Sequence, residues 1–158
     1  MSDTKPTNPK DRAATDRIDL SLFPDTAVVY GALAMTEGDL KYGGYNYRLA
    51  GVQASVYVAA TRRHLAKWWN GEDTDSETRV PHLGSALASI AVLIDSIECE
   101  VLLDNRPPKV DVAEVLEKAR EVVRHLQAKY PSGPGRYTEK EHGRSVTRSN
   151  SVTWRLPK

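Results

Sequence analysis

Apolar positions along this chain recur mostly at helical spacing, with few strand-like alternations. From Gly51 to Asn70, Val52, Val56, Ala59, Ala60 and Leu65 predict one helix, and Gly71 is placed to stop it in the left-handed conformation. A second apolar run from His82 to about Leu103 carries Leu83, Leu87, Ile90, Leu93, Ile94 and Ile97. It is apolar around most of its circumference, which predicts a position at the centre of the domain. A third run holds Val112, Val115, Leu116, Val122, Val123 and Leu126 and stops before Pro131. Asp111 reads as its N-cap, with Glu114 three residues on as in a capping box. Upstream, Ala27, Val28, Leu33 and Met35 mark a helix that begins at Pro24, ends near Lys41 and is broken by Gly43–Gly44.

These elements predict an all-α fold, a small helical bundle of about four main helices. Residues 1–16 read as a polar, extended N-terminal arm, residues 17–131 as the helical domain, and residues 132–158 as a polar tail. Val152, Trp154 and Leu156 suggest a short strand, Ser151 to Leu156, within that tail. At 158 residues the chain is long enough for one domain with a real core.

Charge removes some function classes. Twenty-two basic and 21 acidic residues nearly cancel, so no global field draws nucleic acid or a membrane surface. No apolar run reaches the roughly 18 residues of a membrane span, and the polar N-terminus shows no signal-peptide core. The single cysteine, Cys99, permits no internal disulfide and fits a reducing, cytoplasmic setting. Within an apolar helical stretch it reads as a buried structural thiol.

The chemistry concentrates between Arg63 and Leu83. His64 lies on a helix, Glu72, Asp73, Asp75 and Glu77 fill the turn after it, and His82 opens the next helix. Carboxylates offer hard oxygen ligands for Mg²⁺ or Mn²⁺, and neutral imidazoles suit Mn²⁺, Fe²⁺ or Zn²⁺. The plainer account is a solvated acidic turn beside two ordinary histidines. His64 shares a face with Tyr57, Ala60 and Trp68, so a hydrogen-bonded core histidine and a metal ligand both stand. His82, at a helix start where backbone N–H groups favour anions, is a neutral ligand, a donor to phosphate, or simply part of the helix start. Asp95 sits about 20 Å along the helix from His82, so it reads as a buried acid paired with an Arg or Lys from another helix, or as a ligand of a separate site. Glu114 and Glu117 form an ExxE that fits a solvated face.

A second cluster runs Lys41-Tyr42-Gly43-Gly44-Tyr45-Asn46-Tyr47-Arg48. Lys41 and Arg48 can neutralise phosphate, Tyr42 or Tyr47 can stack on a base, and Asn46 offers a paired donor and acceptor. Arg62 and Arg63 add positive charge nearby. No Walker loop, dinucleotide fingerprint, Ser/His/Asp order or zinc-finger spacing is present.

Together these stretches resemble the phage dATP/dGTP diphosphohydrolase (MazZ-type) family, specifically its N-terminal domain. That family's pattern is G-A-x-K-Y-G-x-x-N-W-R, then A-x-x-R-H-L, then G-E-x-x-D-x-E-x-G-x-x-H-L. The chain carries Gly38, Lys41, Tyr42, Gly43, Asn46 and Arg48, then Ala60, Arg63, His64 and Leu65, then Gly71, Glu72, Asp75, Glu77, His82 and Leu83. The resemblance covers about Asn8 to Asp104. Tyr47 replaces Trp, Arg79 replaces Gly, and Ser85 replaces a histidine often found there. The ExxE and ExxD helix pair of the MazG-type pyrophosphohydrolases is absent from the corresponding helices.

The resemblance implies cleavage of a purine deoxynucleoside triphosphate to monophosphate and pyrophosphate, with a divalent metal, Mg²⁺ or Mn²⁺, in phage nucleotide metabolism. By analogy it also implies a homo-oligomer. On this reading His64, Asp75, Glu77 and His82 hold metal, and Glu72, Asp75 and Glu77 supply catalytic carboxylates. Lys41, Arg48 and Arg63 meet phosphate, and Tyr42, Asn46 or Tyr47 the base. The alternative is a non-catalytic nucleotide-sequestering protein that counters host defence. A virion scaffold, needing no convergent polar residues, is the third reading. No membrane or direct nucleic-acid partner is expected.

Overall fold

The structure is a computed structural model that describes residues 17–138 and residue 140. The expected arm at residues 1–16 and the strand expected at Ser151 to Leu156 lie outside the described residues. The chain divides into two compact units between Pro108 and Lys109.

The first unit is built on helices, as the apolar spacing predicts. After a 3-10 turn at Leu20–Leu22, α1 spans Asp25–Tyr42. Pro24, without an N–H and with φ near −64°, sets its start. A short α2, Asn46–Ala50, follows the glycine pair. Next come a two-residue strand β1 at Val52–Gln53, α3 at Ala54–Trp69, α4 at His82–Glu98, and β2 at Leu102–Leu103. No described helix is long and apolar enough to cross a membrane.

Two boundaries differ from the sequence reading, and one pairing explains both. The helix expected from Gly51 starts at Ala54, and the helix expected to reach Leu103 ends at Glu98. Val52 pairs in parallel with Leu102, and Gln53 with Leu103. Gly51 makes the approach possible. Its φ is +78°, and an added Cβ would sit 3.2 Å from the Val101 carbonyl oxygen. Glu100, with φ 57°, turns the chain out of α4. Asn105 then reaches back 50 positions to the α3 N-terminus, where its Oδ1 accepts from Ser55 N at 2.9 Å. That side chain does the capping that Gln53 does not.

Helix α4 packs against both α1 and α3, which bears out its central placement. The face it buries is small: Gly84, Ala86, Ala88, Val92 and Ser96. Small residues bring the flanking helices close but enclose little apolar volume. The buried cluster is Tyr47, Val52 and Val92, with Met35, Tyr57, Leu93 and Leu102 against it. The opposite stripe of α4, Leu83, Ile90, Ile94 and Ile97, stays exposed. Cys99, expected to be buried, is exposed, because α4 ends just before it and it caps the helix from outside.

The second unit contains α5, Val112–Lys129. Asp111 caps it as expected, with Oδ1 accepting from Glu114 N at 3.0 Å. Glu114 does not complete a capping box; its carboxylate pairs with Lys118 at 2.6 Å.

Candidate functional site

The turn between α3 and α4 is held by its own side chains. Gly71, at φ 91°, donates to Trp68 O, and Glu72 N reaches Lys67 O at 3.0 Å, a Schellman stop for α3. Asp75 Oδ1 accepts from the backbone N–H groups of Glu77 and Thr78, both at 3.0 Å. Asp75 N donates to Val80 O, Arg79 N to Asp75 O, and His82 N to Asp73 O. Those N–H bonds hold the Asp75 carboxyl below its usual range; the Thr78 N–H contributes most, and Lys67 assists. Arg79, where the resembling family has glycine, adopts φ 65°. The turn therefore places a left-handed residue at this position.

This ordered turn closes one end of a cleft of about 870 Å³ between α1, α2, α3 and α4. From α1 come Glu37, Asp39, Lys41 and Tyr42; from α2, Asn46 and Tyr47. Tyr57, Ala60 and His64 line it from α3, Asp75, Glu77 and Thr78 from the turn, and Ser85, Ala88 and Ser89 from α4. A cleft of this volume lies within the range of small-molecule sites.

Of the residues singled out in the sequence, Lys41, Tyr42, Asn46, Tyr47, His64, Asp75 and Glu77 meet in this cleft. Arg48, Arg63, Glu72 and His82 do not line it. Arg48 is held by Asp95 in a two-pronged ion pair, Nε to Oδ2 and Nη2 to Oδ1, each 2.8 Å. That is the cation from another helix expected for Asp95, although Asp95 is only partly buried and not the buried acid expected. Its guanidinium also stacks 4.6 Å from the centre of the Tyr45 ring. Arg63 is exposed on α3.

His82 is fully buried, and Glu72 stands behind it. The Nδ1 atoms of His64 and His82 are 3.0 Å apart. His82 Nε2 lies 3.1 Å from Glu72 Oε1, off the line of an ideal hydrogen bond, and has no other partner. Glu72 also takes Lys67 at 3.2 Å. His82 first and Lys67 second hold its carboxyl below the usual range. Burial pushes the His64 imidazole below its ordinary value, and His82 pushes it further.

The sequence reading missed the α1 carboxylates. Glu37 and Asp39 line the cleft, and Glu37 ion-pairs with Lys41, raising the lysine's pKa. Their spacing held the signal, since Glu37 lies four residues before Lys41 on the same helical face. Ser85 also lines the cleft.

The cleft thus sets four carboxylates against one lysine, a balance that attracts cations. Among the described residues, no three His, Cys, Asp or Glu side chains converge as a ready-made cage. Mg²⁺ is usually held by one or two carboxylates together with substrate phosphates. In kind, the cleft carboxylates fit such an ion. In position, His82 turns both nitrogens to protein neighbours.

Fold and site together define a small α-helical protein around a polar, carboxylate-rich cleft. Residues 7–106 match the family model described as dATP/dGTP diphosphohydrolase, N-terminal, and the chain belongs to that family. No curated protein and no solved structure matches it.

Proposed function

We propose that the cleft binds a purine deoxynucleoside triphosphate together with a divalent cation and hydrolyses it to the monophosphate and pyrophosphate. The observation that carries this reading over sequestration is which charges reach the cleft. Asp75 and Glu77 line it, whereas Arg48 and Arg63, the cations a sequestering pocket would use, do not. A triphosphate entering a wall of four carboxylates and one lysine is repelled unless cations enter with it. Family membership supports the substrate class.

Glu77 and the second oxygen of Asp75 are the donors a Mg²⁺ or Mn²⁺ ion would meet, since Asp75 Oδ1 is committed to the turn. Such an ion would neutralise phosphate charge and polarise the α-phosphate. Lys41 exchanges Glu37 for a phosphate oxygen, and Tyr42 and Asn46 face the nucleoside. Water attacks the α-phosphorus and loses a proton to a base in the cleft. The bond from that phosphorus to its bridging oxygen breaks, and the electron pair leaves on pyrophosphate.

The test is incubation with a panel of nucleoside triphosphates and Mg²⁺ or Mn²⁺, reading monophosphate and pyrophosphate. Release from dATP or dGTP is expected. Lys41→Gln should weaken substrate affinity by about 1–3 kcal/mol, the scale of a charge-assisted hydrogen bond. Saturable binding with no pyrophosphate would favour sequestration, and no binding at all would remove both readings.

The same proposal includes a homo-oligomer. Ile90, Ile94 and Ile97 on α4 are each at least 41% exposed, a row of large aliphatic side chains on one helix face. A second copy covering that row supplies the burial that the small inner face cannot. Sedimentation should show an oligomer, and Ile94→Glu with Ile97→Glu should reduce it to monomers; a monomeric wild-type chain would refute this.

A further inference from the structure

We propose that Glu72 and His82 act as positioning residues. They hold His64 as its Nδ1–H tautomer, so that its unprotonated Nε2 accepts a hydrogen bond from the attacking water in the cleft. This inference rests on the hydrolase reading above and assigns the base left unspecified there.

The tautomers follow from donors and acceptors taken in order from the buried end. His82 is fully buried, and the nearest acceptor to its Nε2 is Glu72 Oε1 at 3.1 Å. An ionised carboxylate only accepts, and it is kept ionised by Lys67 at 3.2 Å as well as by His82. His82 Nε2 therefore carries hydrogen. We take the His82 ring as singly protonated, so its other nitrogen is a lone pair and Nδ1 accepts. The atom 3.0 Å from it is His64 Nδ1, which must be the donor. His64 Nε2 is left with the lone pair. It has no protein partner among the described residues, and His64 lines the cleft.

The alternative assignment fails on a buried atom. If His82 carried hydrogen on Nδ1 alone, its buried Nε2 lone pair would face the Glu72 carboxylate. Two bare acceptors at 3.1 Å repel, and although Lys67 donates to the Glu72 carboxylate, no group is placed to donate to His82 Nε2. Burial, the largest influence on it, pushes the His64 imidazole below its ordinary value.

The arrangement has the logic of an acid–imidazole pair that fixes a catalytic ring, extended by one imidazole. As water attacks, its proton moves to His64 Nε2 while its oxygen bonds to phosphorus. The resulting imidazolium donates through Nδ1 to His82, which donates in turn to the Glu72 carboxylate. No proton need travel along the relay. Its work is to orient His64 and to spread the positive charge that forms there.

Tautomers can be read without substrate. In the ¹⁵N-labelled full chain near neutral pH, two-bond ¹H–¹⁵N correlations should report Nδ1–H for His64 and Nε2–H for His82. Glu72→Ala should blur both assignments and lower kcat about 10- to 100-fold, the usual scale for losing such a partner, with KM changed less than about 3-fold. Glu72→Gln, whose amide oxygen can still accept from His82, should restore the tautomers and part of kcat. Glu72 is exposed on one side, so these variants should keep the wild-type circular dichroism. An Nε2–H His64 in the wild-type chain overturns the proposal. So does a Glu72→Ala variant with unchanged tautomers, whatever its kcat. Wild-type protein with the expected tautomers but no pyrophosphate release overturns instead the hydrolase reading, and with it the role given to the water.

Discussion

Gly84→Ala is expected to destabilise the protein strongly, although it adds only one methyl group. An ideal Cβ at Gly84 would lie 2.5 Å from the Tyr30 carbonyl oxygen and 3.0 Å from its carbon. Those atoms are backbone of α1, so no side chain can swing aside; α1 and α4 must separate. Overpacking of this kind costs about 1–3 kcal/mol, and the rigid contact places Gly84 near the upper end. Thermal unfolding should shift down by roughly 10 °C for a unit of this size. Gly38→Ala supplies a control of opposite sign. It lies within α1 with nothing inside 4 Å of its would-be Cβ. It should gain about 0.4–1 kcal/mol by restricting the unfolded chain. If both variants melt alike, the close crossing of α1 and α4 is not as described. The measurement also bears on the site, because both helices form walls of the cleft.

Gly84 illustrates where the sequence was readable and where it was not. Helical spacing located the four long helices, and Gly71 and Asp111 marked two of their ends, because those signals are local. The parallel pairing of Val52 with Leu102 joins positions far apart in the chain. A two-residue strand has no periodicity of its own to announce it. The apolar content of α4 pointed correctly to a central helix. It did not reveal that the buried face would be the small residues, with Ile90, Ile94 and Ile97 left outside.

The site divided in the same way. Lys41, Tyr42, Asn46, Tyr47, His64, Asp75 and Glu77 share a cleft, and each stood out by residue type within a short segment. Arg48 stood out equally, but its charge is spent on Asp95. Residue type shows that a guanidinium is present and not which carboxylate the packing brings to it. His82 is the sharper case. Both histidines stood as candidate metal ligands in the sequence, yet one is fully buried behind the other and only His64 reaches the cleft.

Removing the charge of Glu77 should separate hydrolysis from binding. Its side chain lines the cleft, while its own contribution to the turn is a backbone N–H given to Asp75. Glu77→Gln therefore keeps the turn and the side-chain shape and deletes one anionic donor. If Glu77 helps hold a cation against the triphosphate, pyrophosphate release should fall by at least about 100-fold, corresponding to about 2.7 kcal/mol or more of lost charge stabilisation. Nucleotide affinity should fall much less, because Lys41, Tyr42 and Asn46 remain. Asp75→Asn is the companion variant. Its amide oxygen can still accept from the N–H groups of Glu77 and Thr78, so the turn should survive with the charge removed. Asp75→Ala, by contrast, leaves those two N–H groups without their acceptor and should also lower stability. Circular dichroism and thermal melting separate the two effects. Loss of turnover in Glu77→Gln and Asp75→Asn at wild-type melting temperature would tie the chemistry to these carboxylates. Full turnover in both would move the reaction out of this cleft, whatever the family to which the chain belongs.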